Sequence, residues 1–353
     1  MKNWEKNVRK VVPYVAGEQP KNKNVIKLNT NECPYPPAPG VERLKEEMNL
    51  QDLRLYPDTD STDLVNELAK YYHVDPEQVF VGVGSDDVLS MAFLTFFHGT
   101  EPILFPDVTY SFYDVWADLY QIPYRRCLLN EDWTINAGDY VQPNGGVIFP
   151  NPNAPTGLYE PLEKVEQIVK QNPDVVVIVD EAYVDFGGVS ALPLVEKYDN
   201  LLVVQTFSKS RSMAGLRIGF CIGSKKLIKY LNDVKFSVNS YTMNRPSQLL
   251  GVEAVRDDAY FKATTAKIIA TRERVKKELA ELGFTFPDSK TNFIFATHKT
   301  VPAKEIFQAL RAQNIFVRHW NKPRIENYLR ITIGTDEQMD TMIAFLKEYL
   351  ANK

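Results

Sequence analysis

The sequence predicts an α/β protein in which a large domain with a mostly parallel sheet between helices is followed by a smaller α+β domain. Three observations lead there. The chain has 353 residues, enough for two domains at the usual size of about 150 residues each. Its middle alternates short β-branched apolar runs with helical patterns, the signature of stacked βαβ units. From about Asn244 the alternation stops, and a long helical segment is followed by only a few strand-like runs.

In chain order, the first element is irregular. Residues 13–39 are rich in Pro, Asn and Gly with weak periodicity, so they should form an arm laid over another surface. We divide the chain into an arm (1–30), a large domain (31–243) and a small domain (244–353) on which the arm packs. The large domain's strands are Val79-Phe80-Val81, Ile103-Leu104-Phe105, Val147-Ile148-Phe149 and the runs at 175–179, 201–206 and 217–222. All are short and apolar enough to be buried on both faces. Helices at 87–97 and 162–170 lie between some of them. In the small domain, one helical stretch runs from 244 to 282, followed by strand-like 292–296, a helix at 303–313 and strand-like 328–333. The last helix is well marked: Thr335 and Gln338 have capping-box spacing, and Met339, Met342, Ile343, Leu346 and Leu350 fall on one face.

Composition narrows the function. A hydrophobic share of 44% and a charged share of 24% exclude disorder and fibrous repeats. A net charge of −4 leaves no field that would draw nucleic acid or an anionic membrane, so small-molecule chemistry is expected. The polar start and the lack of a long apolar run point to the cytoplasm. Cys33, Cys127 and Cys221 are far apart and without CxxC spacing, which suits reduced structural thiols. The four histidines form no ligand cluster, so no metal is expected.

The most informative stretch is Thr206-Phe207-Ser208-Lys209-Ser210, which follows an apolar strand and precedes Gly215-Leu216-Arg217-Ile218-Gly219. A lysine at a strand's carboxyl edge lies where open α/β sheets bind ligands. Taken alone it reads as a solvated surface charge. What changes the reading is Asp180, in Asp180-Glu181-Ala182-Tyr183, at the end of a fully apolar run. A buried carboxylate there needs a partner, and a pyridinium N–H is one; a helix cap is the competing explanation. Gly82-Val83-Gly84-Ser85-Asp86-Asp87 opens a helix after a strand. It could cradle a phosphate on backbone N–H groups or be only a tight turn.

These motifs, with Asn151-Pro152-Asn153-Ala154-Pro155-Thr156-Gly157, resemble in kind and order the fold-type I pyridoxal-phosphate-dependent aminotransferases, and the resemblance covers nearly the whole chain. Within that superfamily, Pro13-Tyr14 with Gly17, Leu28 to Tyr35, and Arg54-Leu55-Tyr56-Pro57-Asp58 look like the N-terminal signatures of histidinol-phosphate aminotransferases.

The resemblance implies roles. Lys209 would hold pyridoxal 5′-phosphate as a Schiff base and shuttle the proton, Asp180 would pair with the ring nitrogen, and Tyr183 would hydrogen-bond the phenolic oxygen. Ser208 and Arg217 would hold the phosphate with the turn at Gly84, Ser85 and Asp86. Tyr110 would stack on the ring, and Tyr56 would reach the phosphate of a neighbouring subunit, which implies a homodimer with shared sites. Arg330 and Arg318 would bind substrate anions, with Tyr14 closing over them. The substrates would be an amino-phosphate donor, L-histidinol phosphate, and 2-oxoglutarate.

Two positions depart from the family pattern. Ala154 stands where an asparagine usually bonds the phenolic oxygen, so that contact falls to Asn153 or to Tyr183 alone. Arg211 replaces a small or apolar residue and either adds charge near the phosphate or faces solvent. A nucleotide-binding oxidoreductase would leave Lys209, Asp180 and Arg217 without a joint purpose, and a DNA-binding regulator on this fold would need a module for which there is no room. An aromatic or broad-specificity aminotransferase, or an amino-acid-phosphate decarboxylase, would share every cofactor residue and stays open.

Overall fold

A computed structural model of the chain describes residues 2–21 and 24–353. The N-terminal arm carries a two-residue strand, β1 (Ile26–Lys27). The central sheet follows, with β2 (Val79–Gly82), β3 (Ile103–Pro106), β4 (Tyr124–Cys127), β5 (Gly146–Pro150), β6 (Val177–Asp180), β7 (Leu201–Thr206) and β8 (Gly219–Gly223). Its order is β2-β8-β7-β6-β5-β3-β4, and every pairing is parallel except those that β8 makes with β2 and β7.

Six of these strands are buried along their whole length, as unbroken runs of Val, Ile, Leu and Phe require. The seventh, β4, has no counterpart in the sequence reading. Its Tyr-Arg-Arg-Cys pattern exposes Arg125 and Arg126 on a sheet edge, where charge discourages further pairing. The run at 217–222 also starts late as a strand, because Arg217 sits at φ 54 in the left-handed region and cannot continue a ladder.

The remaining strands are β9 (Phe284–Thr285), β10 (Phe293–His298), β11 (Ile315–Phe316), β12 (Arg318–His319) and β13 (Leu329–Thr332). Four of them form an antiparallel sheet in the order β12-β13-β10-β9, while β11 pairs in parallel with β1 and so ties the arm to this part of the chain. The final helix, Asp336–Ala351, has the expected cap, with Thr335 accepting from the Gln338 backbone N–H, and it buries Met339, Met342 and Leu346.

The single helix expected from 244 is two, Arg245–Arg256 and Asp258–Glu281, parted at Asp257. The first of them packs on helices Pro39–Glu47 and Thr62–Tyr72. Its Val252, Ala254 and Val255 belong to the core under the large sheet. Packing therefore changes at Asp257, whereas the sequence pattern changes at Asn244.

The parallel strands all present their carboxyl ends to one edge. There the ends of β5, β6 and β7 meet the turn after β2 and the loop after β3, and a crevice opens where such sheets bind ligands.

Candidate active site

Asp180 is the last residue of β6 and is 5% exposed. Its carboxylate accepts from the Tyr113 hydroxyl at 2.9 Å and from the Ala182 backbone N–H at 3.2 Å. Burial raises its pKa from 3.8 to about 6, against those two donors, which pull it down. A carboxylate with four acceptor positions and two protein donors has room for another N–H.

Lys209 stands on the loop after β7, between the buried Ser208 and Ser210. Phe207 anchors the loop, fully buried, with its N–H donating to the Ile218 carbonyl and its carbonyl accepting from Met213. The Lys209 ammonium donates to the Thr30 carbonyl at 3.2 Å and lies 5.8 Å from the centroid of the Tyr183 ring.

Beside it, the left-handed turn at Arg217 aims the guanidinium back across the crevice. Nη2 donates to Asp86 at 3.0 Å and Nη1 to the Ser208 hydroxyl at 3.3 Å. Tyr110 donates to the other Asp86 oxygen at 2.7 Å. The helix Ser85–Phe96 begins here with Gly84 as its cap and no side-chain acceptor, so its first-turn N–H groups are left for a ligand. A Cβ at Gly84 would fall 2.4 Å from Arg217 Nη2, and one at Gly219 would fall 2.2 Å from the Gly84 carbonyl carbon. Glycine alone lets these backbones close.

Asp180, Lys209, Tyr110, Tyr183, Ser208 and Arg217 line an inner cavity of about 100 Å³. It continues into an outer one of about 210 Å³, where Lys209, Tyr110 and Tyr183 meet Tyr14, Arg318 and Arg330. Tyr14 is stacked on Phe112 with centroids 4.1 Å apart. Arg318 and Arg330 are directly opposed in the β12–β13 ladder. Like charges so placed repel. Burial pulls the Arg330 guanidinium below its ordinary pKa, and the Arg318 charge pulls the same way. Arg330 donates to the Asn29 carbonyl at 3.0 Å, while its Nε is buried without a partner. A bound anion would relieve all three penalties.

The residues fit a phosphorylated aldehyde with a basic ring nitrogen. A lysine can form an imine, a buried carboxylate waits for an N–H, and a helix start with Arg217 and Ser208 suits a phosphate. The family model described as aminotransferase class I and II matches residues 23–346. The chain belongs to that family. It is 52% identical over 351 residues, 99% of both chains, to the histidinol-phosphate aminotransferase of Lactococcus lactis subsp. cremoris (strain MG1363). It is 50% identical over 349 residues, again 99% of both, to that of Clostridium botulinum (strain Langeland). Its fold matches a histidinol-phosphate aminotransferase from Sinorhizobium meliloti solved with pyridoxal-5′-phosphate, with a TM-score of 0.84 at 24% identity, covering 93% of this chain and 91% of that one.

Two residues of this aminotransferase, Asn153 and Arg211, depart from the sequence reading. Asn153 lines neither cavity: its amide donates to Thr156 in its own loop at 3.0 Å and to the Val108 carbonyl in the loop after β3 at 2.9 Å. The methyl of Ala154 does line both. Arg211 neither faces solvent nor lines the phosphate side of the crevice. It is 7% exposed, donates to the Ala254 carbonyl at 2.7 Å, and lies over the Phe261, Tyr71 and Phe207 rings. Tyr56 lines neither cavity; it is 78% exposed and stacked on Tyr241.

Three further contacts were missed. Tyr113, fully buried, is the hydroxyl on Asp180. Trp320 lies 5.5 Å from Arg318 and 5.3 Å from Arg330, a ring face for both cations. Asn31 donates to the Tyr183 hydroxyl at 2.8 Å. Only Asn31 had a signal, since it lies within the run Leu28 to Tyr35 that carried the resemblance.

Proposed function

We propose that this aminotransferase moves the amino group of L-histidinol phosphate to 2-oxoglutarate with pyridoxal 5′-phosphate as cofactor. The observation that carries the substrate is the opposed pair Arg318 and Arg330, which line the same cavity as Lys209. The donor has no carboxylate beside its amine, so the enzyme must grip it by the far phosphate. The acceptor brings carboxylates to the same place. Two guanidiniums suit both, because each can offer two charge-assisted hydrogen bonds. The names of the relatives at 50% identity and above agree with this reading.

When bound, the cofactor supplies an electron sink for the pair left by a broken C–H bond. The rest falls to the chain. Lys209 Nζ would hold the cofactor and would serve as the base and acid that moves the substrate proton. Asp180 would hold the ring N–H, and Tyr183 would donate to the phenolic oxygen. Ser208, Arg217 and the backbone N–H groups of Ser85 and Asp86, beside the closed turn at Gly84, would hold the phosphate. Tyr110 would cover the ring, and Tyr14 would cover the substrate from the arm.

Tyr56 lines neither of its own chain's cavities and lies within an exposed apolar stretch that includes Leu53 and Leu55. That arrangement supports a homodimer in which Tyr56 serves the neighbouring site. No helix among the described residues is long and apolar enough to cross a membrane, and we place the enzyme in the cytoplasm. The alternative, an aromatic aminotransferase or a decarboxylase, would share the inner cavity and parts from this reading in the donor it prefers. A panel of amino donors assayed with 2-oxoglutarate tests it: histidinol phosphate should give the highest kcat/KM, and a clear preference for phenylalanine or tyrosine would overturn the assignment.

A further inference from the structure

Tyr183 lines both cavities, and Ala154, which lines them too, offers only a methyl group. The second polar group on Tyr183 comes from the N-terminal segment. Asn31 is 1% exposed and holds φ 57. Its backbone N–H donates to the Thr332 hydroxyl at 3.1 Å, that hydroxyl donates to its Oδ1 at 3.0 Å, and its carbonyl accepts from Asn292 at 3.0 Å. With every other polar group engaged, Nδ2 is left to face Tyr183, and it donates to the hydroxyl oxygen at 2.8 Å. The ring is held edge-on against Phe293, with centroids 5.1 Å apart.

A phenol has one proton and can accept as well. Asn31 occupies an acceptor site on the oxygen, so the proton must leave in another direction, and the open one is the cavity. We propose that Asn31 is a positioning residue that fixes and polarises the Tyr183 hydroxyl so that it donates to the cofactor's phenolic oxygen without the help of a side chain at 154. The proposal rests on the cofactor reading above. It also links the site to β13 and to Asn292, so any shift of the small sheet relative to the large one is felt at Tyr183.

The visible absorbance of the cofactor-loaded enzyme, titrated with pH, tests it. A donor held on the phenolic oxygen favours that oxygen's full negative charge, and so lowers the pH at which the neighbouring proton is lost. Asn31→Gly keeps the left-handed backbone and removes the amide. It should raise the midpoint by about half to one pH unit, the equivalent of one hydrogen bond. In a Tyr183→Phe background it should move the midpoint no further, because the two act through one contact. Asn31→Asp is the second variant: it keeps the size, turns the donor into an acceptor that captures the Tyr183 proton, and should raise the midpoint as well. An unchanged midpoint in both variants, or equal shifts in the two backgrounds, overturns the proposal while a coloured enzyme leaves the cofactor reading intact. A wild-type chain that gains no visible absorbance with pyridoxal phosphate overturns both.

Discussion

Replacing Asp180 with asparagine should stabilise the cofactor-free protein while disabling the loaded one. The side chain is 5% exposed, and burial moves its pKa from 3.8 to about 6. Because the folded value is the higher, the protonated acid contributes stability that is fully present below about pH 4 and is lost as pH rises through about 6. The difference corresponds to about 3 kcal/mol at about 1.4 kcal/mol per pH unit. An asparagine does not ionise and still offers an oxygen to Tyr113 or Ala182. Denaturant melts of the two cofactor-free proteins should therefore nearly coincide at pH 4 and separate by up to about 3 kcal/mol at pH 8, with Asp180→Asn the more stable. The loaded variant loses the ionised partner of the ring nitrogen, and its turnover should fall by about 10- to 100-fold, the worth of one charge-assisted hydrogen bond. A variant less stable than wild type at pH 8, or a difference independent of pH, would refute the view that Asp180 is a strained carboxylate held for a ligand.

Lys209→Ala should bind pyridoxal phosphate without the visible band that shifts on adding an amino donor, and should show no turnover; a retained, borohydride-trappable adduct would contradict its role. Mixed dimers of Tyr56→Phe and Lys209→Ala chains should contain one site with both defects and one with neither, giving a half-active population with normal cofactor retention, whereas two half-defective sites would exclude sharing. Arg330→Ala should raise KM for both substrates, and Arg318→Ala should hurt the phosphorylated donor more, which initial-rate measurements with each substrate varied in turn will check.

The large sheet was readable because its inner strands are buried on both faces and so leave uninterrupted apolar runs. Edge strand β4 was not, since Arg125 and Arg126 face water and break the pattern. Asp180 and Lys209 stood out for the same physical reason in reverse: each is an ionisable group where the apolar run ends. The contacts that tune them were hidden. Tyr113 reaches Asp180, and Asn31 reaches Tyr183, across separations that no local period records. Asn153 illustrates a finer limit, because its neighbour faces the cavity and it does not, a matter of loop conformation rather than composition. Arg211 is buried because Tyr71, Phe207 and Phe261 converge on it from three segments, and a charge in a sequence gives no hint of rings gathered around it.

The central claim is that a far phosphate, gripped by Arg318 and Arg330, selects the donor. The ratio of kcat/KM for histidinol phosphate to that for histidinol, measured on one enzyme preparation with saturating 2-oxoglutarate, tests it most directly. Loss of a bidentate charge-assisted contact from a desolvated site amounts to several kcal/mol, so the ratio should be at least about 100. A ratio near one would contradict the account.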